Sequence, residues 1–214
     1  MTESTQRTRR SAATVRGTVA AAAAVWALAS CGGGGSNPLD NPDTLNNPTL
    51  TGNQRLAFAY FQRCVFPVFL AQLPIRFADG TTSVNTCAAS GCHDNTNGTG
   101  GAFRVIGNAT PIDLTNPANT ADIIRASDMY KNFYSAQGEV VFGSPLTSRI
   151  LAKPMVNGVL HGGGLIFDNA QDANARLIQY WINNPAPTGA DEFSPATFGM
   201  FTPADSNTGA CNTQ

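Results

Sequence analysis

The chain has 214 residues, of which 13% are charged and 42% hydrophobic, and its formal net charge at pH 7 is −1. It has no basic patch, which argues against nucleic acid as a partner. It also has no internal repeat, so a single site is expected rather than an array of similar ones.

Residues 1–31 predict a secretory leader that ends in a lipidation site. Four basic residues stand against one acidic residue before an apolar run from Thr18 to Ala29. That run is too short to span a membrane and suits the hydrophobic part of a signal peptide. It ends in Leu28-Ala29-Ser30-Cys31, which resembles the lipobox of bacterial lipoproteins. We expect an exported bacterial lipoprotein, anchored through Cys31 at the periplasmic face of a membrane or at the outer membrane. A plain signal peptide with an incidental cysteine is the alternative.

Residues 32–50 predict a flexible tether. The segment is rich in Gly, Asn and Pro and has almost no residue that could be buried in a core. Removal of residues 1–31 takes four of the 13 basic and one of the 14 acidic residues, which leaves a net charge of −4. A folded domain is expected over 51–190, followed by a tail at 191–214.

A helix is predicted over 53–73, where apolar residues recur at i, i+3 and i+4. Pro67 should kink or divide it, and Pro74 should end it. Asp79-Gly80 predicts a turn leading to the next motif. The residues expected on its inward stripe are Leu56, Phe58, Tyr60, Phe61, Cys64, Val65, Val68 and Phe69.

The motif with the clearest chemistry is Cys87-Ala88-Ala89-Ser90-Gly91-Cys92-His93. Two thiols can form thioethers with the two vinyl groups of a haem, and a histidine directly after the second cysteine can bind the iron. The usual spacer has two residues, and this one has four. A disulfide between Cys87 and Cys92 and a zinc site with His161 as fourth ligand are the alternatives. Covalent haem is the favoured interpretation.

Three further helices are predicted. One covers Asp122 to Phe133, one opens at Ser144-Pro145 and ends near Lys153-Pro154, and the last covers Ala170 to Asn183. The expected N-caps are Asn119 or Thr120 for the first, Ser144 for the second, and Asn169 or Asp172 for the third. The expected inward residues are Ile123, Ile124, Met129 and Phe133, then Leu146, Ile150 and Leu151, then Ala173, Leu177, Ile178, Trp181 and Ile182.

A glycine-rich loop over 155–164 carries two side chains that suit the open face of a haem iron, Met155 and His161. Met155 alone would be read as a core residue that fills a gap, and His161 alone as a polar loop residue. With an attachment motif elsewhere, one of the two is expected to complete the iron coordination.

The remaining cysteines predict a disulfide. If Cys31 carries lipid and Cys87 with Cys92 carry haem, then Cys64 and Cys211 remain as an even pair in an oxidising compartment. Their bridge would attach the tail to the first helix. The tail's aromatic residues, Phe193, Phe198 and Phe201, are expected to pack on the domain surface.

Taken in order, these segments resemble a monohaem c-type cytochrome domain of exported bacterial proteins, including planctomycete-type cytochromes. The resemblance runs from Tyr60 to Ile182 and implies a mostly α, cytochrome c-like helical domain around one covalent haem c, with irregular Gly/Asn/Pro-rich loops. It also implies His161 as the distal ligand, whereas Met155 is the alternative that the loop itself offers. The four-residue spacer and the long segment 71–86 depart from the simpler cytochromes. The matching segments are Phe61, 65–69, Cys87, Cys92 and His93, Gly100-Gly101, 148–154, 161–164 and Trp181-Ile182.

The predicted function is electron transfer by a membrane-anchored electron carrier, not an enzyme, with redox proteins as partners. One alternative is a non-redox binding or structural lipoprotein whose Cys87 and Cys92 form a disulfide or a zinc site. Another is a haem sensor or haem enzyme with an open sixth position.

Overall fold

The structure is a computed structural model, and it describes residues 55–214. The predictions for the leader at 1–31, for lipidation at Cys31 and for the tether at 32–50 concern residues outside this range. Within the described part, helices take up 33% and strands 9% of the residues, so the domain is mixed and mostly helical. No helix in that part is long and apolar enough to cross a membrane.

The first helical region runs from Phe58 to Leu70 and changes its winding midway. α1 spans Phe58–Tyr60, a π-helical turn spans Phe61–Val65, and α2 spans Phe66–Leu70. Since Pro67 has no N–H to donate one turn back, the winding widens just before it, and the Phe66 N–H donates to the Phe61 carbonyl. Pro67 therefore divides the helix, as predicted. All the residues predicted on its inward stripe are buried.

A β-hairpin that was not predicted follows this region. β1 (Leu73–Arg76) pairs antiparallel with β2 (Thr82–Asn85). The predicted turn at Asp79-Gly80 joins the strands, and Gly80 adopts the positive φ of 84° that glycine allows there. The strands lack a sequence signal, because Pro74 lies inside β1 and β2 is largely exposed.

The predicted helix over 122–133 is two helices, α3 (Ala121–Ala126) and α4 (Asp128–Gln137). Thr120 caps α3, as expected, but the extended Ser127 separates the two and caps α4 by accepting from the Tyr130 N–H. The prediction for Ile123 was wrong, since its side chain is 55% exposed. The other three residues predicted to face inward, Ile124, Met129 and Phe133, are buried.

The helix predicted from Ser144-Pro145 is also divided. A 3₁₀ turn spans Pro145–Thr147 and α5 spans Arg149–Ala152, separated by Ser148. The predicted Ser144 cap is wrong, because its side chain makes no capping hydrogen bond. Buried Ser148 instead accepts from the Val141 N–H at 2.8 Å. Ile150 and Leu151 are buried as predicted, whereas Leu146 is 41% exposed.

The last long helix, α6 (Ala173–Asn183), packs on the first helical region. Asp172 caps it by accepting from the N–H groups of Asn174 and Ala175. Trp181 is fully buried, its Nε1 donates to the Ala57 carbonyl at 3.0 Å, and its ring centre lies 5.3 Å from that of Phe61. The prediction of Trp181 as a core anchor is confirmed. Ala173, predicted inward, is exposed, Leu177 is half-buried, and Ile178 and Ile182 are buried.

The tail at 191–214 packs on the domain. A 3₁₀ turn spans Pro195–Met200, and β3 (Phe201–Thr202) pairs with β4 (Ala210–Cys211). Cys64 and Cys211 form a disulfide across 147 residues of sequence, as the cysteine count predicted. Phe201 is buried, and Phe193 and Phe198 pack against the core.

A buried carboxylate fixes the start of the tail. Glu192 is fully buried and accepts from Arg125 Nη2 at 3.0 Å and from the Tyr130 hydroxyl at 2.9 Å. Arg55 Nε lies 3.5 Å from its second oxygen. The Glu192 carbonyl accepts from the Phe58 N–H at 2.9 Å. The tail is thereby bonded to α1, α3 and α4 by polar groups as well as by the disulfide.

Candidate functional site

The loop from Cys87 to His93 is closed by its own backbone. The His93 N–H donates to the Cys87 carbonyl at 2.9 Å, and the Cys92 N–H donates to the Ala89 carbonyl at 2.9 Å. Gly91 takes a φ of 84°, which lets the four-residue spacer turn back on itself. The Ala88 N–H donates to the Phe69 carbonyl at 3.1 Å. This backbone hydrogen bond connects the loop directly to the end of α2.

The two cysteines of this loop are free thiols, not a disulfide. Burial, together with the neighbouring Cys92 sulfur, raises the pKa of Cys87 to about 12. A thiol in that state stays protonated and is a poor nucleophile toward disulfides. Asn85 Nδ2 donates to the Cys92 sulfur at 3.8 Å. The two thiols thus share one small region at the end of β2.

His93 is held on two sides by the segment that follows it. The Val105 N–H donates to the His93 carbonyl at 2.7 Å, and the Phe103 carbonyl lies 3.1 Å from His93 Nδ1. The Phe103 ring centre is 4.7 Å from that of the imidazole. A methyl group on Gly100 would lie 2.5 Å from His93 Cε1 and Nδ1, so only glycine leaves room for the ring. The Gly100-Gly101 pair was expected to allow close approach to a flat ring, and here Gly100 approaches the imidazole.

His161 is held by its own glycine-rich loop. The Gly164 carbonyl lies 2.7 Å from His161 Nδ1, and the Gly164 N–H donates to the His161 carbonyl at 2.9 Å. The loop is joined to β1 by two backbone bonds between Arg76 and Leu165, of 2.9 and 2.8 Å. The unpredicted hairpin therefore serves to position His161.

The two imidazole rings are neighbours and lie nearly parallel. Their ring centres are 6.4 Å apart and their planes differ by 13°. Two imidazoles that bind one metal ion from opposite sides, each through a nitrogen about 2.0–2.1 Å from the metal, have ring centres roughly 6 Å apart. Each ring uses Nδ1 for a backbone carbonyl, which fixes its orientation and leaves Nε2 available to a metal. By their separation, His93 and His161 are the two residues of this region that could both bind one metal ion.

Electrostatics favours neutral imidazoles at this site. Burial lowers the pKa of His93, and the neighbouring charges of His161, Arg104 and Lys153 lower it further. Burial likewise lowers the pKa of His161, with a contribution from Lys153. Since a metal binds the unprotonated nitrogen, both side chains are in the form that coordination requires.

The structure also places the residues of the two alternative ligand sets. Met155 packs against the hydrophobic core, as a residue that fills a gap would. Within residues 55–214 no group of three or more His, Cys, Asp or Glu side chains could hold a metal ion, so the four ligands of the zinc alternative are not brought together. Sequence reasoning missed the carbonyls of Phe103 and Gly164, because backbone acceptors leave no sequence signal.

Comparisons with protein-family models, with curated proteins and with solved structures found no match to this chain.

Proposed function

We propose that this chain is a monohaem c-type cytochrome that transfers electrons, built as a cytochrome c-like domain around one haem c. The observation that supports the proposal best is the pair of neighbouring, nearly parallel imidazoles, His93 and His161, with ring centres 6.4 Å apart and both Nδ1 atoms bound to backbone carbonyls. Such a pair next to two free thiols suits covalent haem better than a disulfide or zinc.

Each residue of the site would have one task. Cys87 and Cys92 would each add across a vinyl group, the sulfur bonding to one carbon and the hydrogen going to the other. His93 would be the proximal and His161 the distal iron ligand. The haem iron, when bound, would supply one-electron redox chemistry. Phe103 and Phe69, whose ring centres lie 5.1 Å apart, would limit access of water to the His93 side.

We also propose that the protein is exported and attached to a membrane through lipid on Cys31, with redox proteins rather than nucleic acid as partners. The support is the leader and lipobox at 1–31, which lie outside the described residues. The several acyl chains of a bacterial lipoprotein anchor it stably, whereas one would not. Cys31→Ser should release the protein from membranes, and retention in the membrane fraction would contradict the anchor.

The deciding experiment is haem staining after denaturing electrophoresis of the protein expressed with its leader and a haem attachment system. We expect a coloured band that disappears when both Cys87→Ala and Cys92→Ala are introduced. Ser90→Ala, in the same loop, is the matched control and should keep the colour. A colourless native protein with a Cys87–Cys92 disulfide would overturn the proposal, and carbon monoxide binding by the unmodified protein would favour a sensor or enzyme instead.

A further inference from the structure

Arg104 lies beside His93 because both of its chain neighbours bond to that residue. The Phe103 carbonyl faces His93 Nδ1 and the Val105 N–H donates to the His93 carbonyl. The Arg104 N–H donates to Ser135 Oγ of α4 at 2.7 Å, so the backbone at this position is fixed from the other side as well. The backbone of Arg104 is therefore held in a fixed position beside His93.

The guanidinium of Arg104 is incompletely hydrogen-bonded. Its Nη1 atom is buried and has no hydrogen-bond partner. Arginine stays charged at any relevant pH, and a buried donor without an acceptor is costly. Among residues 55–214, neither Arg104 nor Lys153 belongs to any of the ion pairs. Native proteins rarely leave such a group unpaired, and the exceptions call for an explanation.

The charged side chains that lower the pKa of the two histidines are basic. The positive charge of Arg104 acts on His93, and that of Lys153 acts on both imidazoles. Glu139 is paired with Arg149 at 3.4 Å and also interacts with the charge of Lys153, whereas no such acid acts on Arg104 among the described ion pairs. A buried Arg104 donor without a partner favours an anionic ligand, and a guanidinium favours a carboxylate because its planar fork can donate two parallel hydrogen bonds.

We propose that Arg104 binds a propionate carboxylate of the haem held by His93 and His161, with Lys153 adding positive charge to the same site. This inference rests on the proposed function, since a haem carries two such carboxylates besides the vinyl groups that the thiols would use. The carboxylate would accept a hydrogen bond from the buried Nη1 donor, and the pairing would place a fixed positive charge near the iron. That charge favours the reduced state, which has one positive charge fewer at the iron.

The test compares Arg104→Gln with Arg104→Lys in the haem-loaded protein, using Arg176→Gln on α6 as the matched control. Three measurements are made on each: haem staining, the reduction potential, and the resonance Raman band of propionate bending, which responds to hydrogen bonds at the carboxylate. We expect Arg104→Gln to retain haem, to shift the propionate band and to disfavour reduction about tenfold, which is about 59 mV for one electron. Arg104→Lys should lie between the two, and Arg176→Gln should match the unmodified protein.

The outcomes separate this inference from the proposed function. A propionate band that is the same in Arg104→Gln and in the unmodified protein overturns the contact, even if the potential falls through loss of charge alone. If Arg104→Gln does not fold, Arg104→Lys keeps the charge but loses the planar fork, and an unshifted band there also overturns the contact. An unmodified protein without covalent haem removes the proposed function itself, and this inference with it.

Discussion

The aromatic core and the histidine loops are held together by different kinds of contact. The aromatic core, around Phe61, Phe133 and Trp181, is closed by side chains that pack on one another, with ring centres 5.3–6.0 Å apart. The histidine loops, residues 87–105 and 155–165, are held mainly by backbone hydrogen bonds. In the same region Leu160 is 84% exposed and Arg104 Nη1 lacks a partner.

The residues that stabilise the fold are therefore different from the residues that would bind haem. The aromatic core packs its side chains against one another, whereas the histidine loops carry two free thiols, two neighbouring imidazoles and a guanidinium donor without a partner. Damage to the core should therefore lower stability whether or not haem is attached. Damage to the loops should change haem coordination with a smaller effect on stability. The following changes test that division, from the largest expected loss of stability to the smallest.

The largest loss is expected from removing the disulfide with the pair Cys64→Ala and Cys211→Ala. The bridge spans 147 residues of sequence, so its removal frees a long loop in the unfolded chain and should cost about 2–5 kcal/mol. Urea unfolding measures the free energy. A reducing agent should destabilise the unmodified protein to a similar extent and leave the variant unchanged. Equal stability of the two proteins would contradict the tail's role in closing the core.

Glu192→Gln should cost about 2–3 kcal/mol at neutral pH, less than breaking a fully enclosed pair because Arg125 and Arg55 are partly exposed. Burial raises the pKa of Glu192, but its own backbone N–H and the bonds from Arg125 and Tyr130 outweigh this, so the pKa is lowered overall. A lowered carboxyl pKa gives stability that is complete above the unfolded value of 4.5 and is lost as pH falls through the folded value.

Unfolding measured between neutral and acidic pH checks this. The unmodified protein should lose stability below the unfolded value, and Glu192→Gln should show a flatter acid limb. Asp128→Asn is the control, since its partner Lys131 and the aspartate itself are 59% and 52% exposed and the pair should contribute under about 1 kcal/mol. Parallel acid limbs for the Glu192 variant and the unmodified protein would show that this carboxylate is not what ties the tail to the core.

Gly100→Ala should cost about 1–3 kcal/mol and displace the His93 ring, because the added methyl would lie 2.5 Å from two ring atoms and 2.8 Å from the Cys92 carbonyl. The absorption spectrum of the haem protein reports the displaced ligand, and urea unfolding reports the cost. Gly162→Ala, beside His161, meets nothing within 4 Å and is the matched control. If both variants behave alike, close packing around His93 is not what orients it.

His161→Ala should have the smallest effect on stability, under about 1 kcal/mol, since the side chain lies on a loop outside the aromatic core. Haem should stay attached through Cys87 and Cys92, but the iron should become open to carbon monoxide. Met155→Leu should leave the spectrum unchanged. A sulfur-to-iron charge-transfer band in the near-red of the oxidised, unmodified protein would instead assign the sixth position to Met155.

The same division marks what could be predicted from the sequence. The inward residues of the first helical region and of α6 follow from helical periodicity, and Trp181 and Phe61 lie where that pattern placed them. The helix breaks at Ser127 and Ser148 were not predicted, because each serine side chain accepts from a nearby backbone N–H. The spacing of apolar residues carries no information about such bonds. The Arg76–Leu165 bridge escaped for a different reason. It joins segments far apart in sequence through backbone atoms alone.

The placement of the four cysteines at 64, 87, 92 and 211 has a consequence for how the molecule matures. Cys87 and Cys92 are close neighbours in sequence, so in an unfolded, oxidising chain they would meet far more often than Cys64 and Cys211, which lie 147 residues apart. In the folded domain without haem, burial raises the pKa of the Cys87 thiol to about 12, while Cys64 and Cys211 are joined. An oxidant that reaches the chain before it folds would therefore join Cys87 to Cys92, and that bridge would have to be reduced before either thiol could bond to haem.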